Sequence, residues 1–567
     1  MRSAFSCAGA VALALPLAAQ TGSVSRSVSV SVTNVDVVVT DAAGKPITDL
    51  SSADFEIRQD GKVQPITNFS FVRNPLPPPP PVLEHGQTPE AAIVPAEAAP
   101  PPAARAHLIV FLDNLHLTPV NRNRALISLN KYLPALVGPN VEVQFVTWDR
   151  SLRIRGPFIS EAPLLRTMLT ELGKEVALGN LPVREHIKLI EEINEAFSED
   201  PRIRQSAIGS AISHVRAWAD AQAADLDSTA EAIRSALSSV AGVDGRKVLF
   251  FVTERLTPHP ARDLFDYLQN GPQNAGSGTR GFGGSALTWL HWNRDKSFKD
   301  VTSAANAAGV SIVTIDAGDI DLNDSLSPEV ASGYGGRMDS SIASLDMQTA
   351  MGFLADETGG ARIQGSNDLA LALKGIEADW TAYYSLGYES PEAKPGAPRS
   401  LRVTVHRPGA RVRTRRDVIE RTPEQKVADA VLAGVNIPHV VNPLRASLQI
   451  GTPKKSGKLW LVPLQFQIPF DKLTLVPHGG RAKGGVLFTA VVATPEGKIS
   501  PVTTQRAPLD IPESELGTLA GRSFTYVATL KVRAGAQTFS TALTDEVSRL
   551  TSYVQPHVLI GDKPAAR

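Results

Sequence analysis

The residue types that could do chemistry are spread thinly along this chain. Eleven histidines are scattered over 567 residues, and no His-Glu-x-x-His puts two of them on one helical face, as a zinc hydrolase would need. The nearest fragment, Arg184-Glu-His-Ile, lacks the second histidine. No Gly-x-Ser-x-Gly elbow is present to present a nucleophilic serine, and Cys7 is the single cysteine. Gly451-Thr-Pro-Lys-Lys-Ser-Gly457-Lys458 has the wrong spacing for a phosphate loop and is followed by Leu459 where a hydroxyl is needed, so it reads as a β-turn. Catalysis therefore has no visible centre, and no enzyme is expected. What remains are acidic residues at the ends of apolar runs: Asp113, Asp149, Glu254 and Asp316. At the carboxyl edge of an open α/β sheet such residues can meet a partner, although solvated turn residues would look the same.

The elements that must position them are legible as periodicity. His107-Leu-Ile-Val-Phe-Leu-Asp113, Val141 to Thr147, Arg246 to Thr253 and Gly309 to Asp316 are continuous apolar runs. They alternate with helical stretches at 121–137, 161–175, 184–240 (broken at Pro201), 296–308, 345–358 and 369–380. Strand, helix, strand implies parallel pairing, and an open, doubly wound sheet over 105–390 is expected, with a helical insertion at about 184–243. Strand Ala382-Tyr-Tyr-Ser-Leu-Gly-Tyr388 is expected to close that domain, and its alternation favours core packing for Tyr383, Tyr384 and Tyr388. Ser151 to Phe158 reads as a returning edge strand, and 271–284 and 320–341 read as long loops.

Outside that region strands dominate. Residues 23–73 alternate valine and isoleucine with polar residues, and Asp60-Gly61 signals a hairpin, so a small β module is expected. Residues 74–104 hold 11 prolines and read as an extended linker. Residues 391–421 read as a β-hairpin around Pro408-Gly409, and 422–567 as an immunoglobulin-like β-sandwich behind a helix at 423–432. Met1-Arg2 and the apolar run ending in Ala18-Ala19-Gln20 form a signal-peptide pattern over 1–19, which implies export to the periplasm or the exterior. The 57 basic and 57 acidic residues balance, so nucleic acid is excluded as a partner by lack of field. No apolar run reaches the length of a membrane helix.

Val35-Asp-Val-Val-Val-Thr-Asp41, Gly44-Lys-Pro-Ile47, Leu50, Asp54-Phe-Glu-Ile57, Asp60-Gly61, the Leu112-Asp113 strand end and Tyr383-Tyr-Ser-Leu-Gly-Tyr388 carry a resemblance. Over roughly residues 30 to 420 the chain resembles the von Willebrand factor type A-related proteins of the acidobacterial type. The resemblance implies a von Willebrand factor A-like, Rossmann-like α/β fold and points to a metal-ion-dependent adhesion site, in which an Asp-x-Ser-x-Ser loop, a distant Thr and a second Asp hold Mg²⁺. Here Asp113 matches, but Leu115 and Leu117 replace both hydroxyls, and Thr253-Glu254-Arg255 stands where Thr-Asp-Gly is usual. The degenerate set that the resemblance leaves for Mg²⁺ or another divalent cation is Asp113, Thr118 and Glu254, with Asn114 able to add an amide oxygen. The alternative is that these groups cap helix termini or pair with Arg255. Asn114, His116, Asp149 and Asp316 make up the expected partner-binding edge, and a protein or glycan is the expected partner. The expected function is binding, adhesion or envelope assembly. The alternatives are a metal-dependent enzyme or enzyme subunit using the same edge, and an inert scaffold.

Overall fold

The computed structural model describes residues 31–73, 105–270, 288–318, 336–364, 369–390, 396–435, 441–495, 498–519 and 521–560. The expected signal peptide and proline-rich linker lie outside these residues, as do the expected loop at 271–284 and positions 320–335 of the next. Four strands come first: β1 (Ser31–Thr40), β2 (Phe55–Gln59), β3 (Lys62–Gln64) and β4 (Ile66–Arg73). An α/β unit follows, with β5 (Ala106–Asp113), α1 (Pro119–Tyr132), β6 (Val141–Trp148), β7 (Leu152–Ile154), α2 (Ala162–Leu172), α3 (Asn180–Ser198) and α4 (Arg204–Val240). It continues through β8 (Arg246–Thr253), α5 (Arg262–Asn270), α6 (Asp295–Ala308), β9 (Val310–Asp316), α7 (Gly336–Thr358), β10 (Arg362–Ile363), α8 (Leu369–Gly375) and α9 (Ala378–Thr381).

The apolar runs form the middle of one six-stranded sheet, ordered β10-β9-β8-β5-β6-β7. The first five strands are parallel and β7 is an antiparallel edge. Every residue of β5, β8 and β9 is buried, because helices cover both faces and neither face can be polar. Successive residues divide between the faces. Leu108, Val110 and Leu112 pack with α1, α2 and α8, while Ile109 and Phe111 pack with α4, α6 and α7. The chain reverses direction across the sheet between β5 and β8, so a crevice is expected at their carboxyl ends. Helix α7 begins at Gly336, inside the stretch expected to be a loop; no proline interrupts it, and Ala350 and Leu354 anchor it to the sheet. The helical insertion is α3 with the first half of α4, which pack on α5 around Ile193, Val215 and Leu264.

The closing strands are placed differently from expectation. Strand β11 (Ala382–Ser390) leaves the central sheet and pairs antiparallel with β1 on one side and β4 on the other. Next come β12 (Pro398–Val405), β13 (Arg411–Arg413) and β14 (Asp417–Ile419). They do not form the expected hairpin, because β12 pairs with β2 and β14 whereas β13 pairs with β1. Two four-stranded sheets result, β13-β1-β11-β4 and β14-β12-β2-β3, around a core that includes Val35, Ile57, Tyr384, Tyr388 and Leu401. The physical reason is burial: the apolar face of 31–73 is too small to fold alone, and β11 and β12 supply its other half. The α/β unit is thus inserted into a β module whose two parts are more than 300 residues apart, as in Leu50 N donating to Tyr384 Oη.

Helix α10 (Pro423–Ala433) starts with a capping box, Thr422 and Gln425, and leads to β15 (Ser447–Ile450), β16 (Lys454–Ser456), β17 (Leu459–Pro469), β18 (Val476–His478) and β19 (Arg481–Ala493). Strands β20 (Thr503–Pro512), β21 (Ser523–Val532), β22 (Gly535–Asp545), β23 (Thr551–Val554) and β24 (His557–Ile560) complete the described chain. They form two antiparallel sheets that share a core including Val462, Phe466, Phe488 and Leu543.

Candidate functional site

The carboxyl ends of β5 and β8 place Asp113 and Thr253 side by side, since Leu112 is in register with Val252. Asp113 has no solvent exposure, and its Oδ2 accepts from Thr253 Oγ1 and pairs with His116 Nδ1, both at 2.8 Å. The chain turns tightly after the strand, with the amides of His116 and Leu117 both donating to Asp113 O, and this brings the imidazole back over its carboxylate. Burial alone would lower the His116 pKa, but the charge and hydrogen bond of Asp113 reverse the balance and raise it. The buried carboxylate thus shares its Oδ2 between the Thr253 hydroxyl and the His116 ring.

A second network lies beside it. Thr118 caps α1, and its amide and hydroxyl both donate to Glu254 Oε2, at 3.0 and 2.9 Å. Glu254 is 1% exposed, and Arg255 Nε reaches its other oxygen at 3.3 Å. A buried carboxylate here is stabilised by the orphan amide and the dipole of a helix N-terminus. Gly318 packs against this group: a Cβ there would stand 2.8 Å from Glu254 Cγ.

The structure thus joins Thr118 to Glu254, and Asp113 to Thr253 and His116. Leu115 and Leu117 point into opposite cores of the sheet. Asn114 is buried; its Nδ2 donates to Glu175 Oε2 at 3.3 Å, and its carbonyl accepts from Leu178 N at 2.7 Å. Glu175 also pairs with Arg155, and the Arg122 guanidinium holds the Glu175 and Gly173 carbonyls. These bonds clamp the 173–179 segment over the end of β5. Asp149 lies on the other side of that edge, paired with Arg153 at 2.8 Å, and Asp316 Oδ1 accepts from Gly318 N at 2.9 Å.

Sequence reasoning missed Thr253, Arg122, Arg155 and Glu175 as members of this edge. Asn114 and Glu175 are 61 positions apart, and no local pattern links them. It also missed that histidines scattered in the chain converge on aspartates in space. His186 on α3 meets Asp263 on α5 at 2.5 Å, and His259, between β8 and α5, meets Asp346 on α7 at 3.2 Å. The Asp346 carboxylate beside it raises the His259 pKa against the pull of burial, and the ring packs edge-on to Trp289. Among the described residues no cluster of three or more His, Cys, Asp or Glu has the arrangement to hold a metal ion. Nor is any described helix long and apolar enough to cross a membrane.

No family model and no curated protein matches the chain. Among solved structures, one similar chain is titled "X-ray structure of Northeast Structural Genomics Consortium target SoR45". It shares 9% identity over 22% of this chain and 90% of its own length, with a TM-score of 0.16, which is too low to carry an argument.

Proposed function

We propose that this chain is an exported binding protein built on a von Willebrand factor A-like α/β unit, whose carboxyl edge meets a protein or glycan partner without a divalent ion. The immunoglobulin-like reading of the C-terminal β region belongs to the same proposal, with that region as a spacer. The single observation that carries the metal-free reading is the Asp113–His116 pair. An adhesion-site cation needs an open shell of oxygens, and here the first carboxylate is sealed, with its Oδ2 already shared between His116 and Thr253. A cation at Asp113 would have to displace His116 and Thr253 from Oδ2, and Glu254 has its Oε2 filled by two donors from Thr118. These residues do not fit Mg²⁺. The partner-binding part of the reading is supported by the strand order, which reverses between β5 and β8 and so puts this edge at a topological switch point, and by the segment that the Glu175 clamp holds over the end of β5.

Calorimetric titration of Mg²⁺, Ca²⁺ and Mn²⁺ into the full chain tests the metal-free reading, and no saturable heat is expected. Saturable heat that vanishes in Asp113→Ala would overturn it. Immobilised full chain challenged with envelope proteins and glycans, with and without chelator, tests the binding reading. A ligand retained in chelator and lost in Glu175→Ala is the expected outcome, and retention of nothing would favour an inert scaffold.

A further inference from the structure

The amino end of the central sheet, opposite the carboxyl edge, carries a cleft of about 590 Å³. Its walls are the end of α7, at Asp356 and Glu357, and two strands of the β module that part company there, β12 with Val403 and β13 with Val412. Strand β12 is paired with β2 along Leu401–Val405, but on its other side β14 covers only Pro398–Ser400. Leu401 N donates to Arg416 O at 2.6 Å, and from there the second edge of β12 is open.

Hydrogen-bond parity shows which backbone groups face the cleft. Asp60 N donates to Ser400 O and His406 N to Asp54 O, so the even-numbered groups of β12 point to β2 and those of Val403 point away from it. In β1, Val39 O accepts from Ile47 N, on the side away from β13. Val38 and Thr40 therefore face Arg413 and Arg411, and the N–H and C=O of Val412 point away from β1. Among the described residues no backbone group pairs with Val403 or Val412 on these open sides. Two unpaired strand edges thus border one cleft. Unpaired edges are templates for another strand, and this one is about three residues, roughly 10 Å, long.

The charges select the kind of strand. Arg413 is held by Asp379 at 2.5 Å and Arg416 by Glu357 at 2.9 Å. Arg402 also lines the cleft, next to Val403, and lies opposite Arg58 in the β12–β2 pair, so one arginine without an ion pair among the described residues faces two such carboxylates. Asp356 and Asp417 have no such ion pair among the described residues. Burial raises the Asp417 pKa, and the nearby Glu357 and Asp60 add to the rise, so a cation placed there relieves like-charge crowding.

We propose that this cleft takes an extended, cationic segment of a partner protein by strand addition, its backbone pairing with Val403 and Val412 and a lysine or arginine meeting Asp417 and Asp356. In this mode main-chain bonds supply affinity and the flanking side chains supply selectivity. The inference is independent of the carboxyl edge and of the reading given to it.

The test uses the full chain and a fluorescent peptide alternating valine with lysine, followed by anisotropy. Saturable binding is expected, weakened about tenfold when glutamate replaces lysine and about tenfold when alternate peptide amides are N-methylated. Val403→Pro removes one edge N–H without removing a bond the fold uses, and is expected to weaken binding similarly; Asp417→Asn is expected to erase the preference for lysine. Absence of saturable binding, equal binding of the N-methylated peptide, or unchanged affinity in a Val403→Pro protein that melts like the wild type would each overturn the proposal. If Val403→Pro fails to fold, the N-methylated comparison on the wild-type chain still decides.

Discussion

Two buried charged groups make opposite demands on pH. His116 sits on Asp113 with its pKa raised, so its stabilising contribution is complete below the ordinary imidazole value of 6.5 and is lost as pH rises through the higher folded value. In urea denaturation the wild type is expected to lose stability on the alkaline side of 6.5, and His116→Gln to lack that loss. The same substitution leaves a buried carboxylate without its counter-charge, at a cost of about 3 kcal/mol, and the double variant with Asp113→Asn is expected to regain most of it. An unaltered denaturation midpoint in His116→Gln would mean that Asp113 is not held as an ion pair. Lys247 behaves in the opposite sense. Burial pushes its ammonium down to about 8, despite bonds to the Val243 and Ala241 carbonyls. Between pH 8 and the usual lysine value of 10.5 the unfolded chain binds more protons, so this group makes stability rise with pH across that window. Comparison of Lys247→Met with the wild type should show a difference of ~3 kcal/mol disappearing from pH 8 to 10.

At the scale of elements, the loop that clamps the site depends on a close approach that only glycine permits. Gly179 N donates to Leu117 O, and a Cβ at this position would stand 2.1 Å from His116 O. Gly179→Ala is expected to lift the 173–179 segment, break the Leu178–Asn114 bond and cost about 2 kcal/mol. Gly209→Ala, in the second turn of α4 with nothing within 4 Å, is expected to stabilise by up to about 1 kcal/mol. Chemical denaturation of both, with amide exchange at Leu178, separates a packing contact from a general effect of alanine. These elements differ in how far they could be read in advance. The run His107–Asp113 matches β5 to within one residue, and Asp60-Gly61 turns β2 into β3, because apolar periodicity and turn chemistry are local. The acidic strand ends were legible for the same reason. Their partners were not, since His116 over Asp113 depends on how the turn folds back, and Glu175 reaches Asn114 from a different segment.

On the scale of the whole molecule, the β module is built from both ends of the α/β unit, and its stability depends on segments that no local pattern connects. Tyr384 shows the dependence most plainly. Its hydroxyl accepts from Leu50 N at 3.1 Å and donates to Ile47 O at 3.0 Å, while its ring packs on Phe55 and Phe71. Leu386 and Tyr388 are likewise without exposure, under the same sheet. A chain starting at residue 105 keeps these side chains but loses β1, β2 and β4, which cover them. Each large apolar side chain uncovered forfeits about 2 kcal/mol, and β11 gains two open edges. Such a chain is expected to retain helical circular dichroism, bind a hydrophobic dye and aggregate. A chain of 105–381, which ends before β11, should stay monomeric, because the central sheet has its own two cores on its two faces. Size exclusion and dye binding on both chains distinguish the outcomes. A monomeric, dye-free protein starting at 105 and retaining β11 would show that the first strands are an accessory rather than half of the module.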